Sequence, residues 1–173
     1  MSHVLDAGRR VASCATLADV DISARTDYAV RAMLALAQAQ EEGSGPLSVE
    51  SLAKRQDLPR KFLEAIVADL RGAGLLVSTR GARGGYTLAR PASEVSLGDV
   101  FRAVDGPLAE VRGLRPHETS YEGVARHLPT VWVAVRASLR EVLDGTSLAQ
   151  TLSGSLPAHV RAMADAPDAW RNR

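Results

Sequence analysis

The sequence predicts a mainly α-helical chain with a small β-hairpin wing and a long C-terminal helix. Three observations carry this reading. Apolar residues recur at helical spacing in three short segments before residue 72. Two β-prone runs then flank a Gly-rich loop. A longer apolar stripe runs from Leu128 to Val142.

Taken in order, Ile22 to Ala24 reads as a short strand leading to a helix capped near Thr26 or Asp27. That helix carries Val30, Met33, Leu34 and Ala37 at helical spacing, and Glu41-Glu42-Gly43-Ser44-Gly45-Pro46 breaks it. Ser48, with Glu50 and Ser51, starts a second helix whose inward positions are Leu52 and Ala53. Asp57-Leu58-Pro59 is a tight turn, with Pro59 suited to the first position of a third helix. The third helix has a stripe of Phe62, Leu63, Ile66, Val67 and Leu70, and Gly72 and Gly74 end it. Leu75 to Arg80 and Tyr86 to Arg90 form the hairpin around Gly81-Ala82-Arg83-Gly84-Gly85, and Pro91 closes it. Three helices, a tight turn between the second and third, and a hairpin make the order of a winged helix-turn-helix over residues 22–107.

The C-terminal part differs in kind. Ser96 to Val104 is a short helix capped by Ser96, with Asp99 in its first turn, and Asp105-Gly106-Pro107 stops it. Residues 108–123 are irregular and polar and read as a sensor or linker loop. Leu128, Trp132, Val135, Leu139 and Val142 follow at steps of four and three, with Val131 and Leu143 beside them. That spacing is what a helix pairing with another helix requires. We therefore assign residues 124–153 to dimerisation helices, including a short one at Ser147 to Leu152. A long helix folded onto its own domain is the competing reading. Residues 154–173 read as a tail.

Composition bounds the function. The chain has 173 residues, 46% hydrophobic and 24% charged but only 4% aromatic, so its core must be built from Ala, Val and Leu. No apolar run reaches the roughly 18 residues that a membrane helix needs. A single cysteine, Cys14, excludes an internal disulfide framework and any site built from several thiolates of one chain. Val11-Ala12-Ser13-Cys14 has small residues before a Cys, as a lipoprotein cleavage box does. Asp6, Gly8, Arg9 and Arg10 stand where the apolar stretch of an export signal belongs. Met1 to Asp21 reads instead as a solvated tail, and the cytoplasm is the expected compartment. Catalytic constellations are absent: the four histidines are scattered, and no serine sits in a nucleophile elbow. His117, Glu118, Glu122 and His127 read as a solvated loop, and no cofactor is expected.

Charge distribution points to an anionic partner. Eight basic residues face three acidic ones from Lys54 to Arg90, in a chain whose formal charge is only +1. In a helix-turn-helix the start of the second of its two helices meets base edges and phosphates. Here that start carries Arg60 and Lys61. Glu64, Ala65 and Ala68 are free to face a groove, and Arg71 closes the helix. The Gly-rich loop lacks the Gly-Lys-Ser/Thr ending of a phosphate loop and does not open a helix. It reads as a wing in which Gly84 and Gly85 let the backbone approach DNA, while Arg80 and Arg83 reach phosphates or the minor groove. Double-stranded DNA is the expected partner. A winged helix that binds only proteins is the alternative, and it would have no need of Arg60, Lys61 and Arg83.

Several motifs also resemble one family. Ile22-Ser23-Ala24-Arg25-Thr26-Asp27-Tyr28-Ala29-Val30-Arg31-Ala32 resembles the opening of the Rrf-two family of bacterial transcription regulators. Phe62-Leu63-Glu64, followed by Leu70-Arg71-Gly72-Ala73-Gly74-Leu75, is similar to its recognition helix. Arg80 to Ala89 is similar to its wing, the most specific of these matches. Val95 to Val100 and Val104 to Leu108 resemble the segment after the wing. The resemblance covers about residues 22–152 and adds Arg25, Tyr28, Phe62 and Tyr86 to the DNA-facing set. It implies a homodimer on a palindromic operator, joined through the long C-terminal helix; we expect a repressor, its dimer seam at the spaced Leu128, Val131, Trp132, Val135, Leu139 and Val142. Many members hold an iron–sulfur cluster on three cysteines before the long helix. Ala109 to Gly123 contains no cysteine here, so thiolate ligation is impossible there, and a cluster-free member responding to a small effector or a partner protein is expected. A member that binds a metal or cluster through non-cysteine ligands is the alternative.

Overall fold

The structure is a computed structural model and describes residues 22–81 and 83–171. The solvated-tail reading of Met1 to Asp21, and Cys14 with it, lies outside the described residues.

Helix α1 (Ala24–Glu41) is the hub of the fold. The strand expected at Ile22 to Ala24 is instead the helix cap. Ser23 is the N-cap, and its side chain accepts the Thr26 N–H at 3.0 Å, which starts the helix at Ala24. Ala29, Ala32, Met33, Ala35, Leu36, Ala37 and Ala39 are all buried, on more than one face of α1. Alanine makes this feasible: it has high helix propensity, and its small side chain lets neighbouring elements pack closely. Those neighbours are α2 (Val49–Gln56), α3 (Arg60–Gly72), α4 (Leu97–Val104), α6 (Leu148–Ser153) and β2 (Gly85–Leu88).

Helix α2 starts where expected, its Ser48 cap accepting the Ser51 N–H at 3.1 Å. It ends at Asp57, which takes the left-handed conformation with φ of 51°. Pro59 is the cap residue of α3 rather than its first turn. Leu63, Ile66, Val67 and Leu70 of α3 are buried, but Phe62 is 63% exposed and leaves the predicted stripe. Position 62 is one residue off the i, i+3, i+4 face that begins at Leu63.

Strand β1 (Leu76–Thr79) pairs antiparallel with β2, Leu76 opposite Leu88 and Thr79 opposite Gly85. Leu47 adds a third, one-residue strand that the sequence did not signal. It exchanges two backbone hydrogen bonds with Tyr86, at 3.0 and 2.8 Å, and so ties the start of α2 to the wing.

Helix α4 opens with a capping box, Ser96 and Asp99 each accepting the other's backbone N–H. Leu148 of α6 is fully buried beside α1, and the backbone joins the two helix starts through Leu97 N–H to Thr146 and Leu148 N–H to Val95. Short helix α6 thus packs on the core through Leu148. Helix α5 (Leu128–Asp144) is different: none of its residues is fully buried. The tail expected after residue 153 carries α7 (Ala158–Ala164), where the His159 ring lies 3.1 Å from the Glu141 carbonyl of α5. Pro157 caps this helix, and the sequence offered too few apolar positions there to reveal it.

Candidate nucleic-acid interface

Helix α3 buries one face and leaves the other free. Arg60, Lys61, Phe62, Glu64, Ala65, Ala68 and Arg71 are all exposed. Arg60 Nε donates to Glu64 Oε1 at 3.0 Å, so these two act as a pair on the first turn. Lys61 and Arg71 make no ion pair among the described residues, nor do Arg80 and Arg83 of the wing. These four cations are therefore available to a ligand. Ala65 and Ala68 leave the middle of the exposed face low, which lets a helix enter a groove closely.

The residues added by resemblance behave differently from one another. Phe62 stands on the exposed face, braced edge-on by Tyr28 of α1 with ring centroids 6.5 Å apart. Arg25 is engaged within the molecule, its guanidinium bound to the Asp69 carboxylate of α3. It links α1 to α3 beside the exposed face. Asp69 lies 44 residues away in sequence, and no local pattern could have announced it. Tyr86 is half-buried in the hairpin and bridged to Leu47.

Wing glycines have an internal reason first. A Cβ on Gly84 would collide with the Thr79 carbonyl oxygen, and one on Gly85 with the Leu47 backbone. Their lack of side chains closes the hairpin and admits the Leu47 strand. Gly81 takes φ of 113°, a conformation that only glycine adopts without strain. Arg83 lies exposed within this turn, which Gly84 N–H closes onto the Gly81 carbonyl at 2.8 Å.

At the wing base Arg90 reaches Asp99 at 3.6 Å, and Asp99 also accepts from Arg102 at 3.0 Å. Burial pushes the Asp99 carboxyl up. The Ser96 backbone N–H and the Arg102 guanidinium outweigh that and hold it below the usual carboxylate range.

On α5 the predicted stripe divides. Val131 and Val135 are exposed, at 50% and 40%, whereas Leu128, Trp132, Leu139 and Val142 are half-buried. Val133 is exposed at 43%. An apolar helix side thus remains open to solvent in the single chain.

The segment before α5 offers few metal donors. His117 and Glu118 lie 3.9 Å apart, Glu118 accepts the Arg115 backbone N–H at 3.0 Å, and Tyr121 lies under the Arg112 guanidinium. Among the described residues no three His, Cys, Asp or Glu side chains gather as a metal site. Without a thiolate this donor set does not fit an iron–sulfur cluster.

Comparison with known proteins agrees with this geometry. A helix-turn-helix-type transcriptional regulator of Mycobacterium tuberculosis is 46% identical over 145 residues, 83% of this chain and 88% of that protein. The regulator CymR of Bacillus subtilis is 35% identical over 127 residues, 73% of this chain and 86% of its own. The solved structure of B. subtilis CymR, described as the global cysteine regulator, superposes with a TM-score of 0.65. It shares 34% identity over 79% of this chain and 98% of that one. The structure of T. potens IscR gives 0.62 with 37% identity, covering 79% and 88%. The family model described as Rrf2, iron-dependent transcriptional regulator, matches residues 22–154. The chain is a winged helix-turn-helix protein and belongs to the Rrf2 (Rrf-two) family of DNA-binding transcription regulators.

Proposed function

We propose that this regulator is a homodimeric repressor that reads a palindromic operator without an iron–sulfur cluster. The observation that carries the reading is the exposed first turn of α3. Lys61 and Phe62 are exposed there, beside a wing whose Arg80 and Arg83 make no ion pair among the described residues. In this reading α3 enters the major groove, Lys61 and Arg60 meet base edges, and Arg83 grips a phosphate beyond them. Arg25 and Tyr28 orient that face from behind. The open side of α5, with Val131 and Val135, pairs with a second copy and sets the spacing of two half-sites. A cysteine-free segment 108–123 supports cluster-free working, with a small effector or a partner protein as the signal. Among the described residues no helix is long and apolar enough to cross a membrane, and the site of action is the cytoplasm, where the operator lies.

Fluorescence anisotropy on the DNA upstream of the protein's own coding sequence tests the reading. Specific, salt-sensitive binding to one palindromic fragment is expected, with log affinity falling linearly against log salt. No specific, salt-sensitive binding to any palindromic fragment would count against the repressor reading and favour a module whose partner is a protein.

A further inference from the structure

We infer that the groove between α4 and α5 is a binding site for a small organic anion carrying carboxylate or phosphate groups. It has a volume of about 400 Å³ and is walled by Arg102, Arg115, Arg136, Arg140, Asp144 and Leu108. That size is within the range of sites for metabolite-sized ligands. Arginine is the usual base of this chain, so its presence alone says nothing. Four arginines meeting one carboxylate in a single concavity is a different matter.

The one carboxylate is already shared. Asp144 accepts from Arg102 Nη1 at 2.7 Å and from Arg140 Nε at 3.1 Å, and Arg102 also holds Asp99 at 3.0 Å. Glu118 lies near Arg115 but bonds its backbone N–H, not its guanidinium. Arg115 and Arg136 have no ion pair among the described residues, although both line the groove. Their positive charge is uncompensated where the arginines repel one another. An anion with two or more oxygens would meet it, since guanidinium forks match carboxylate and phosphate geometry. Leu108 and Pro107 give the groove an apolar wall, which suits a carbon skeleton better than a bare inorganic ion.

The place of the groove says what binding would do. Arg102 belongs to α4, which packs on α1 and α3, whereas Arg136, Arg140 and Asp144 belong to α5. A bound anion competes with Asp144 for Arg102 and Arg140, and so resets the tie between the DNA-binding core and the long helix. This consequence rests on the regulator reading; the binding itself does not.

Isothermal titration of the full chain with citrate and with inorganic phosphate tests the site, with ionic strength held constant by chloride. Saturable binding of at least one is expected. It should weaken about tenfold or more in the Arg115→Gln/Arg136→Gln double variant, and stay unchanged in the surface control Arg161→Gln. Citrate alone binding assigns the site to carboxylates, and phosphate alone to phosphate esters. No binding of either above the chloride background overturns the proposal, as does equal binding by the double variant. Operator binding is measured in parallel. A chain that binds DNA but neither anion sinks only the groove, and one that binds an anion but no DNA sinks only the regulator reading.

Discussion

Arg102 of α4 donates to Asp144, the last residue of α5, at 2.7 Å. Asp144 closes over Gly98 on α4, where a Cβ would strike its carboxylate. Through Asp99 the same arginine is linked to Arg90 at the wing base. A line of ion pairs therefore runs from the wing, across α4, to the end of the long helix. Each pair is partly exposed and worth about 1 kcal/mol or less by itself. Together they connect the wing base, α4 and the C-terminal end of α5.

Asp99 gives this line a pH dependence. Its folded pKa lies below the ordinary value, so its contribution is complete above the unfolded carboxylate pKa, near about 4. It is lost as pH falls through the folded value. Asp99→Ala also removes half of the capping box, and about 1 kcal/mol of stability should go at pH 7. Urea unfolding of both proteins at pH 7 and at about pH 3 should show the gap narrowing in acid. A gap of undiminished size at the lower pH would mean that Asp99 acts through packing rather than charge.

Gly84→Ala and Gly85→Ala separate backbone need from DNA contact. Both positions are closed by the chain's own backbone, so each substitution should cost about 1–3 kcal/mol through forced displacement. Gly85→Ala should in addition free Leu47 from Tyr86. Thermal melts without DNA check this. Unchanged melting with weakened DNA binding would return these glycines to the interface alone.

The helix-turn-helix and wing were legible because local signals there agree with the global fold. Ser48 and Ser96 cap the helices they announce, and the β-prone runs pair around glycines that the hairpin requires. Leu47 was not legible, since a one-residue strand has no period. Arg25 with Asp69, and Arg102 with Asp144, were hidden for another reason: their partners are 44 and 42 residues apart. Adjacent apolar residues left the buried stripe open between Phe62 and Leu63, and burial of Leu63 with exposure of Phe62 resolves it. The packing of short α6 on α1 through Leu148 was not legible either, because six residues carry too little pattern to show which face is buried.

Wing and recognition helix should respond differently to mutation. Arg83→Ala should weaken binding to all duplexes and flatten the salt slope by about one unit if it meets one phosphate. Lys61→Ala and Arg60→Ala should relax preference at particular base pairs, each good base contact discriminating by about 1–3 kcal/mol. Phe62→Ala should weaken operator binding while costing the fold only its edge contact with Tyr28, about 1 kcal/mol. Anisotropy titrations on operator and random duplex at several salt concentrations read all four. Equal loss on both duplexes for Lys61, Arg60 and Phe62 would remove base reading from α3.

Cluster-free working predicts a colourless protein. Purified anaerobically with iron and sulfide, the chain should show no visible absorbance, and its DNA affinity should not change with oxidant. The comparison variant is Cys14→Ser. A brown protein that survives this substitution would mean that histidine, carboxylate or residues of two chains hold a cluster.

Helix α5 supplies the decisive test of assembly. Val135 is 40% exposed in the single chain, so an aspartate there stays hydrated in a monomer. Between two helices the same aspartate would be a buried, unpaired charge, which is costly. Val135→Asp should therefore leave the monomer's fold intact by circular dichroism and convert a dimer to monomers in light scattering at micromolar concentration. Operator affinity should fall with it, because each half-site then binds alone and the gain from joining them is lost. Wild-type protein that scatters as a monomer under the same conditions would make α5 an intramolecular cap, and the exposed Val131 and Val135 would need another partner.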